Sequence, residues 1–274
     1  MPDFEVSSLL DTGTVTVRNV LCPGTCRHRS AEECASVTHL VFPYRGTYLR
    51  HVGNDQAVAD ANHVLLFNAD EGYRVSHPVP GGDASLVLVL AETALRELAP
   101  RTLLNERAEP GFDARSLRID PPAQAMVALL RHGLQNGSIE DLGAESLALS
   151  LVGRSLGRRA PRRFGAMPAK RRLVDRIKLL LASEPGRRWT LAEIAREIGG
   201  SPVYLTQVFR QIEGLPLYRY QLHLRLARAL DLIPGCESLA ALAFDLGFSS
   251  HSHFSAAFKR TYGVSPSALQ KSLS

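Results

Sequence analysis

Residues Gly247 to Pro266 read GFSSHSHFSAAFKRTYGVSP and concentrate side chains that can do chemistry. His251 and His253 suggest a metal centre, a catalytic base or a helix that reads DNA. Phe254 and Phe258 are four residues apart, which is helical spacing. Helical residues two apart point about 200° from each other, so the histidines cannot share one metal ion on a regular helix. No acid lies near enough in sequence to orient either histidine as a base, which leaves the DNA-reading helix.

This helix belongs to an imperfect internal repeat. LAEIAREIGGSPVYLTQVFRQIEG begins at Leu191, and LAALAFDLGFSSHSHFSAAFKRTYG begins at Leu239. Each copy predicts a short helix, a glycine turn, a serine cap and a second helix. That order is typical of a helix-turn-helix, whose second helix enters the major groove. The sequence therefore predicts two DNA-reading modules.

A single helix is predicted between the two copies. Residues 217–233 contain no internal proline or glycine and would span about 25 Å. That length is close to what is needed to place two reading helices one DNA turn, about 34 Å, apart. We expect His251 at the exposed start of its helix and His253 half-buried at the base. Packing is the alternative for both histidines.

Charge is distributed unequally along the chain. Residues 1–150 hold 12 Lys and Arg against 19 Asp and Glu, a net charge of −7. Residues 151–274 hold 20 against 8, a net charge of +12. A compact basic half favours nucleic acid as a partner, and an Arg-rich solvated surface is the alternative. Residues 154–172 contain seven Arg, one Lys and no acid, which predicts a linker near a polyanion.

The first half of the chain is typical of a β domain followed by helices. Short β-branched or aromatic segments are separated by turn residues, which predicts an antiparallel jelly-roll. A leucine-rich helix near 138–158 either packs on this domain or forms a dimer seam. The predicted strands lie within 13–22, 36–42, 46–52, 63–68, 73–77 and 85–91. The turn residues between the second and third of these segments run from Pro43 to Gly46.

The C-terminal residues resemble the AraC/XylS family of bacterial transcription regulators. The similarity covers roughly 170–270 and includes LAEIAREIG, RLARALDLI and GFSSHSHFSAAFKRTYGVSPS. It implies an α+β multidomain chain, with an N-terminal antiparallel β jelly-roll of cupin type and a C-terminal all-α domain with two helix-turn-helix modules. The domains are then 1–153 for effector binding and dimerisation, 154–169 for an Arg-rich linker, and 170–274 for DNA binding.

The resemblance also implies which side chains face DNA. Two departures from the family pattern are Ala256, where an arginine is common, and Leu269-Gln270, which replace an aromatic-Arg pair. They imply a less specific second module and weaker C-terminal packing. The base-facing residues implied are Val203, Thr206 and Gln207 in the first module and His251, Ser252 and Ser255 in the second, with Arg210 and Lys259 near phosphates.

The barrel of the first domain predicts an effector site rather than an enzyme. Cupin enzymes hold a metal through His-x-His, a pattern that the strand region lacks. An organic effector is therefore the expected ligand, with Arg50 as an alternative to Arg45 for meeting an acidic group. The candidate lining residues are Arg45, Tyr48, Phe67, Tyr73 and His77.

Three cysteines leave a second hypothesis open. Cys22, Cys26 and Cys34 occur close together with His28, which suggests a metal- or thiol-sensing regulator. Their spacing differs from the usual zinc pattern of paired cysteines, so small buried or loop cysteines are the alternative.

The sequence thus predicts a transcription regulator that catalyses nothing and needs no cofactor. Expected partners are double-stranded DNA, a small organic effector, a second copy of the chain in a homodimer and RNA polymerase, with no membrane. No charged and apolar leader opens the chain and no apolar run spans a bilayer, so a cytoplasmic location is expected.

Overall fold

The computed structural model describes residues 4–105, 111–157 and 168–273. The chain divides into two compact units, Met1–Ala160 and Pro161–Ser274. The first unit is an antiparallel β domain with helices, and the second is helical. The prediction of an antiparallel β domain followed by a helical domain is thus confirmed.

The strands of the first unit form a six-stranded sheet in the order β1-β2-β9-β4-β7-β12, a four-stranded sheet in the order β3-β8-β5-β6 and the pair β10-β11. Every described pairing is antiparallel. The strands are β1 (Glu5–Asp11), β2 (Val15–Cys22), β3 (Glu33–Cys34), β4 (His39–Gly46), β5 (Tyr48–Val52), β6 (Asp55–Ala59), β7 (His63–Phe67), β8 (Gly72–Ser76), β9 (Asp83–Leu90), β10 (Leu104–Asn105), β11 (Gly111–Phe112) and β12 (Ser116–Arg118).

All six predicted strand segments are strands in the structure, with one local correction. The turn predicted from Pro43 to Gly46 is instead the end of β4. Pro43 pairs with Ser85 of β9, and the register shifts between Pro43 and Arg45. Such an irregularity accommodates a proline, which cannot donate to the ladder.

Buried side chains lie on both faces of the large sheet, since successive residues of a strand point to opposite faces. On one face Val41 and Leu65 pack with Tyr48 of the smaller sheet. On the other face Leu40 and Leu66 pack with helices. The helices of this unit are α1 (Glu92–Leu98), α2 (Pro121–Gln135) and α3 (Asp141–Leu156).

The leucine-rich helix α3 packs into the core of the first unit, against helix α2 as well as the sheet. Leu151 is fully buried, and Leu147 and Leu149 pack partly buried against the same core. Leu142, by contrast, is 81% exposed at the start of the helix. Of the predicted linker 154–169, residues 154–156 belong to α3 and residues 168–169 begin the next helix, whereas residues 158–167 lie outside the described residues.

The second unit is helical throughout its described part. The predicted helix over 217–233 is confirmed as α7, which continues into a short 3-10 turn (Ile233–Gly235). No helix in the described ranges is both long and apolar enough to cross a bilayer. The helices are α4 (Pro168–Ser183), α5 (Leu191–Ile198), α6 (Pro202–Glu213), α7 (Leu217–Leu232), α8 (Leu239–Asp245), α9 (His251–Tyr262) and α10 (Pro266–Leu273).

Candidate nucleic-acid interface

Both helices of the first pair, α5 and α6, have a side-chain cap at the N-terminus. Thr190 Oγ1 accepts from the Glu193 amide at 3.2 Å, and Glu193 Oε2 accepts from the Thr190 amide at 2.8 Å. This capping box satisfies two amides that the helix cannot bond internally. Gly199, with φ of +86°, follows α5, and Ser201 Oγ then accepts from the Tyr204 amide at 3.2 Å. Both predicted features, the glycine turn and the serine cap, are confirmed.

The capping box makes Glu193 an unusually strong acid. Hydrogen bonds from Thr190 and Arg187 lower the pKa of Glu193 from 4.5 to about 2. Because the folded pKa is depressed, the stabilising contribution is present above about pH 4.5 and is lost as the pH falls towards 2. An NMR titration of the Glu193 carboxyl should show this low pKa. Thr190→Val should raise it, whereas a normal value in the wild-type protein would contradict the capping geometry.

Helix α6 has one buried and one exposed face. Leu205 and Phe209 are fully buried. Val203 is 67% exposed, and Gln207 and Arg210 are exposed too. Thr206, half-buried, donates its hydroxyl to the Pro202 carbonyl at 2.8 Å. Three of the four side chains predicted to meet DNA are thus openly accessible on this helix.

The second pair, α8 and α9, repeats this arrangement. Ser238 caps α8, and Ser250 Oγ accepts from the His253 amide at 3.1 Å to cap α9. Phe254 and Phe258 are fully buried. The predicted DNA-facing residues occupy the remaining surface: His251, Ser252 and Lys259 are exposed, and Ser255 is half-buried with its Oγ 3.3 Å from His251 Nε2.

His253 differs from its predicted half-buried position. The residue is exposed, although its ring lies edge-on to Phe248 with the centroids 5.5 Å apart. Its Nδ1 atom is 3.1 Å from Ser249 Oγ and 3.5 Å from a guanidinium nitrogen of Arg188. The His253 ring is therefore held by Phe248, Ser249 and Arg188 while its side chain stays exposed to solvent.

The two departures from the family pattern have different structural consequences. Ala256 is exposed, so the absent arginine leaves the core unchanged. Leu269 is buried, and Gln270 donates its amide to the carbonyl of Cys236 at 2.8 Å and to that of Ile233 at 3.3 Å. Helix α10 is thus anchored at the positions where weaker packing was expected.

The two helix pairs are connected by contacts that the sequence does not reveal. The guanidinium of Arg188, in the loop before α5, donates to the Gly247 carbonyl at 2.6 Å. From α7, Arg225 and Gln221 both donate to the Arg187 carbonyl, at 2.6 and 2.9 Å. The turn before α9 is therefore fixed to the loop before α5. These partners are 34 to 59 residues apart, beyond any local pattern.

Exposed carboxylates are absent from both candidate reading helices. Helix α9 contains no acidic residue, and the acid in α6 is Glu213. Glu213 is buried and pairs with Lys178 of α4, whose Nζ lies 2.5 Å from Glu213 Oε1. The accessible faces of α6 and α9 are thus neutral or cationic, which suits a phosphate backbone.

The residues predicted to line an effector site are mostly part of the packed domain. Tyr48 and Phe67 belong to the core between the sheets, and Tyr73 packs partly buried against it. Arg45 is exposed at the end of β4, with its guanidinium carbon 5.9 Å from the Tyr44 ring centroid. The fifth residue, His77, is buried and hydrogen-bonds Asp83.

Arg50, rather than Arg45, is the buried cation. Its guanidinium carbon lies 3.6 Å from the Phe67 ring centroid. One nitrogen donates to the Leu66 carbonyl at 2.6 Å, and another lies 3.3 Å from Glu71, which also pairs with Arg115. Burial lowers the pKa of Arg50 to about 10, so the side chain stays charged at neutral pH.

The structure does not assemble the predicted cysteine cluster. All cysteines are free, and Cys34 is exposed. Within the described residues, the group of possible metal ligands includes Cys22 but neither Cys26 nor Cys34. The structure gives no support to the alternative of a Cys22, Cys26 and Cys34 ligand set, since strand pairing places Cys22 beside Asp83.

Comparison with known proteins identifies the C-terminal half. A family model described as a helix-turn-helix domain matches residues 194–272. The chain is 32% identical over 108 residues to the HTH-type transcriptional regulator YidL of Escherichia coli K12, covering 39% of this chain and 36% of that protein. It is also 32% identical over 101 residues to the Msm operon regulatory protein of Streptococcus mutans, covering 36% of each. The matches span little more than a third of the length of either relative.

The similarity to solved structures is weaker. A DNA-binding transcriptional dual regulator from Escherichia coli K-12 is 29% identical over 37% of this chain and 91% of its own, with a TM-score of 0.34. Fatty-acid-bound ToxT from Vibrio cholerae is 17% identical over 97% of this chain and 94% of its own, also with a TM-score of 0.34. These scores are too low to establish a shared fold, so the assignment depends on the sequence matches. The chain carries a helix-turn-helix domain of the AraC type, the DNA-binding domain of a family of transcription regulators.

Proposed function

We propose that the protein is a sequence-specific transcription regulator that reads DNA with α6 and α9, the second helices of two helix-turn-helix modules. One observation carries this proposal. Both helices begin at a serine cap, bury one face and present an opposite face without exposed carboxylates. In helix-turn-helix proteins the N-terminal residues of the second helix contact base edges.

Within this proposal the predicted residues have two kinds of role. Gln207 can bond bidentately to an adenine, and Lys259, later in its helix, meets a phosphate. The remaining members of the proposed interface are Val203, Thr206, Arg210, His251, Ser252 and Ser255. Since Ala256 lacks the common arginine, the first module supplies more of the specificity.

Binding-site selection on the full chain tests these roles. Gln207→Ala should relax the selected motif at one position, because a bidentate contact is worth about 1–3 kcal/mol of discrimination. Lys259→Ala should weaken binding to all sequences alike and reduce the salt slope by about 1. Gln211→Ala is the matched control, since this exposed glutamine lies one turn further along α6 and bonds Lys170 instead.

The motifs that the variants select show which of the two modules supplies more of the specificity. If His251→Ala scrambles the motif while Gln207→Ala leaves it intact, the assignment of the dominant helix is wrong. If the wild-type protein selects no motif and its affinity is independent of salt, the proposed function itself fails.

We also propose that the first unit is a cupin-type jelly-roll that binds a small organic effector. Its support is a buried cation, Arg50, that stacks on Phe67 and is neutralised by Glu71. An acidic effector could replace the Glu71 carboxylate there, with Arg45, Tyr48, Tyr73 and His77 as the other predicted contacts. We propose further that the chain forms a homodimer through this unit, with the exposed Leu142 of α3 at the dimer interface. The proposal also includes contact with RNA polymerase and a cytoplasmic location.

A further inference from the structure

We propose that Cys22, His77 and Asp83 form a binding site for a zinc-class transition metal ion at one end of the β domain. Cys22 is the last residue of β2, Asp83 is the first of β9, and the two are paired across the strands. His77 follows β8. One ligand atom from each residue lies within 4.8 Å of the others.

The site is built into the fold rather than spread over the surface. The side chains of His77 and Asp83 are 3% and 7% exposed, and His77 Nε2 lies 2.6 Å from Asp83 Oδ2. Cys22 is half-buried, which leaves an approach from solvent. Nε2, the nitrogen that faces Asp83, is the imidazole ligand atom of this proposal, because a metal ion there would replace the proton that the two side chains share.

Two glycines allow the three segments to come this close. A Cβ on Gly82, at φ of +68°, would lie 2.3 Å from the Cys22 carbonyl oxygen. A Cβ on Gly24, at φ of +70°, would lie 2.6 Å from the Gly82 Cα and 3.5 Å from His77 Cδ2. The loops around the ligands therefore pack backbone against backbone, in conformations that side chains rarely adopt.

The donor set indicates the class of ion. Thiolate and imidazole select zinc, cobalt or copper over magnesium and calcium, which prefer oxygen alone. Zinc bonds of about 2.0–2.3 Å in a tetrahedron separate the ligand atoms by about 3.3–3.7 Å. His77 and Asp83 are closer than that, at 2.6 Å, and the ligand atoms of all three residues lie within 4.8 Å of one another, so side-chain rotations are enough to reach it. Three protein ligands leave the fourth position for water or an effector group.

Cobalt titration of the full chain, after chelator treatment and under reducing conditions, tests the site. One equivalent of Co²⁺ should give a thiolate-to-cobalt charge-transfer band, which Zn²⁺ should abolish by displacement. Cys22→Ser should remove the band. Cys22→Ser and Asp83→Asn should each weaken Zn²⁺ binding by more than the about 10–100-fold expected for a residue that only orients a ligand. Cys34→Ser and Cys236→Ser are the matched controls and should keep both the band and the affinity.

Thermal unfolding distinguishes a lost ligand from a lost fold. Zn²⁺ should raise the Tm of the wild-type chain but not that of Cys22→Ser, since only binding to the folded state stabilises. Cys22→Ala replaces Cys22→Ser if the serine variant unfolds without metal. Absence of the band in the wild-type protein would overturn the proposal. A band that survives Cys22→Ser and disappears in Cys34→Ser would overturn it too, in favour of a cysteine cluster.

Discussion

Gly247→Ala is expected to destabilise the helical unit by about 3–5 kcal/mol, combining backbone strain with overpacking. Gly247 has φ of +76°, where an alanine is strained. A Cβ there would also lie 2.0 Å from the Gly186 carbonyl oxygen, a backbone atom that cannot rotate away. Urea unfolding followed by tryptophan fluorescence measures the loss, because the chain's one tryptophan, Trp189, is buried in this unit.

Gly214→Ala is the matched control for the steric part of this effect. Gly214 has φ of +72° at the end of α6, and a Cβ there would meet nothing within 4 Å. This variant should therefore pay only the conformational cost, about 1–2 kcal/mol. Equal losses in the two variants would show that the contact between Gly247 and Gly186 is unimportant.

Gly247→Ala should also weaken DNA binding, by more than its effect on stability explains. The Gly247 carbonyl accepts from Arg188, and α9 begins four residues later at His251. Moving this turn away from Gly186 therefore displaces the start of a proposed reading helix. At a temperature where both variants remain folded, Gly247→Ala should bind selected DNA more weakly than Gly214→Ala.

Local features of the helical unit could be predicted from the sequence, because their causes are local. A serine cap bonds an amide three residues on, and Phe254 and Phe258 share a face through helical spacing. The strand segments could be predicted equally well, since short β-branched runs between turn residues are typical of strands. The interruption wrongly predicted at Pro43 shows the limit, because sheet context accommodated the proline in β4.

Long-range contacts were not predictable in this way. The Arg188–Gly247 hydrogen bond joins residues 59 apart. Cys22 and Asp83 meet only because β2 pairs with β9, so proximity in sequence misleadingly grouped Cys22 with Cys26 instead. Arg50 and Arg45 are alike in sequence context, and only the fold shows that Arg50 is the buried one. Such choices depend on register and topology, which a single sequence does not specify.

Glu213→Gln is expected to cost the helical unit about 3 kcal/mol or more, since it removes the carboxylate that pairs with the buried ammonium of Lys178. Lys178 of α4 and Glu213 of α6 are 6% and 8% exposed, with Nζ and Oε1 2.5 Å apart. The Lys178 ammonium also lies 5.7 Å from the Tyr220 ring centroid, a weak attraction that cannot replace a carboxylate. Tryptophan-monitored urea unfolding at neutral pH measures the change.

Two further variants decide whether the cost arises from the unpaired charge. The double substitution Lys178→Met with Glu213→Leu removes both charges and keeps the volume apolar, so it should recover most of the loss. Arg196→Ala breaks an exposed pair with Glu197, whose side chains are 68% and 48% exposed, and should cost under about 1 kcal/mol. If the double variant is as unstable as Glu213→Gln, the glutamate stabilises the helices through its shape and other bonds rather than by neutralising Lys178.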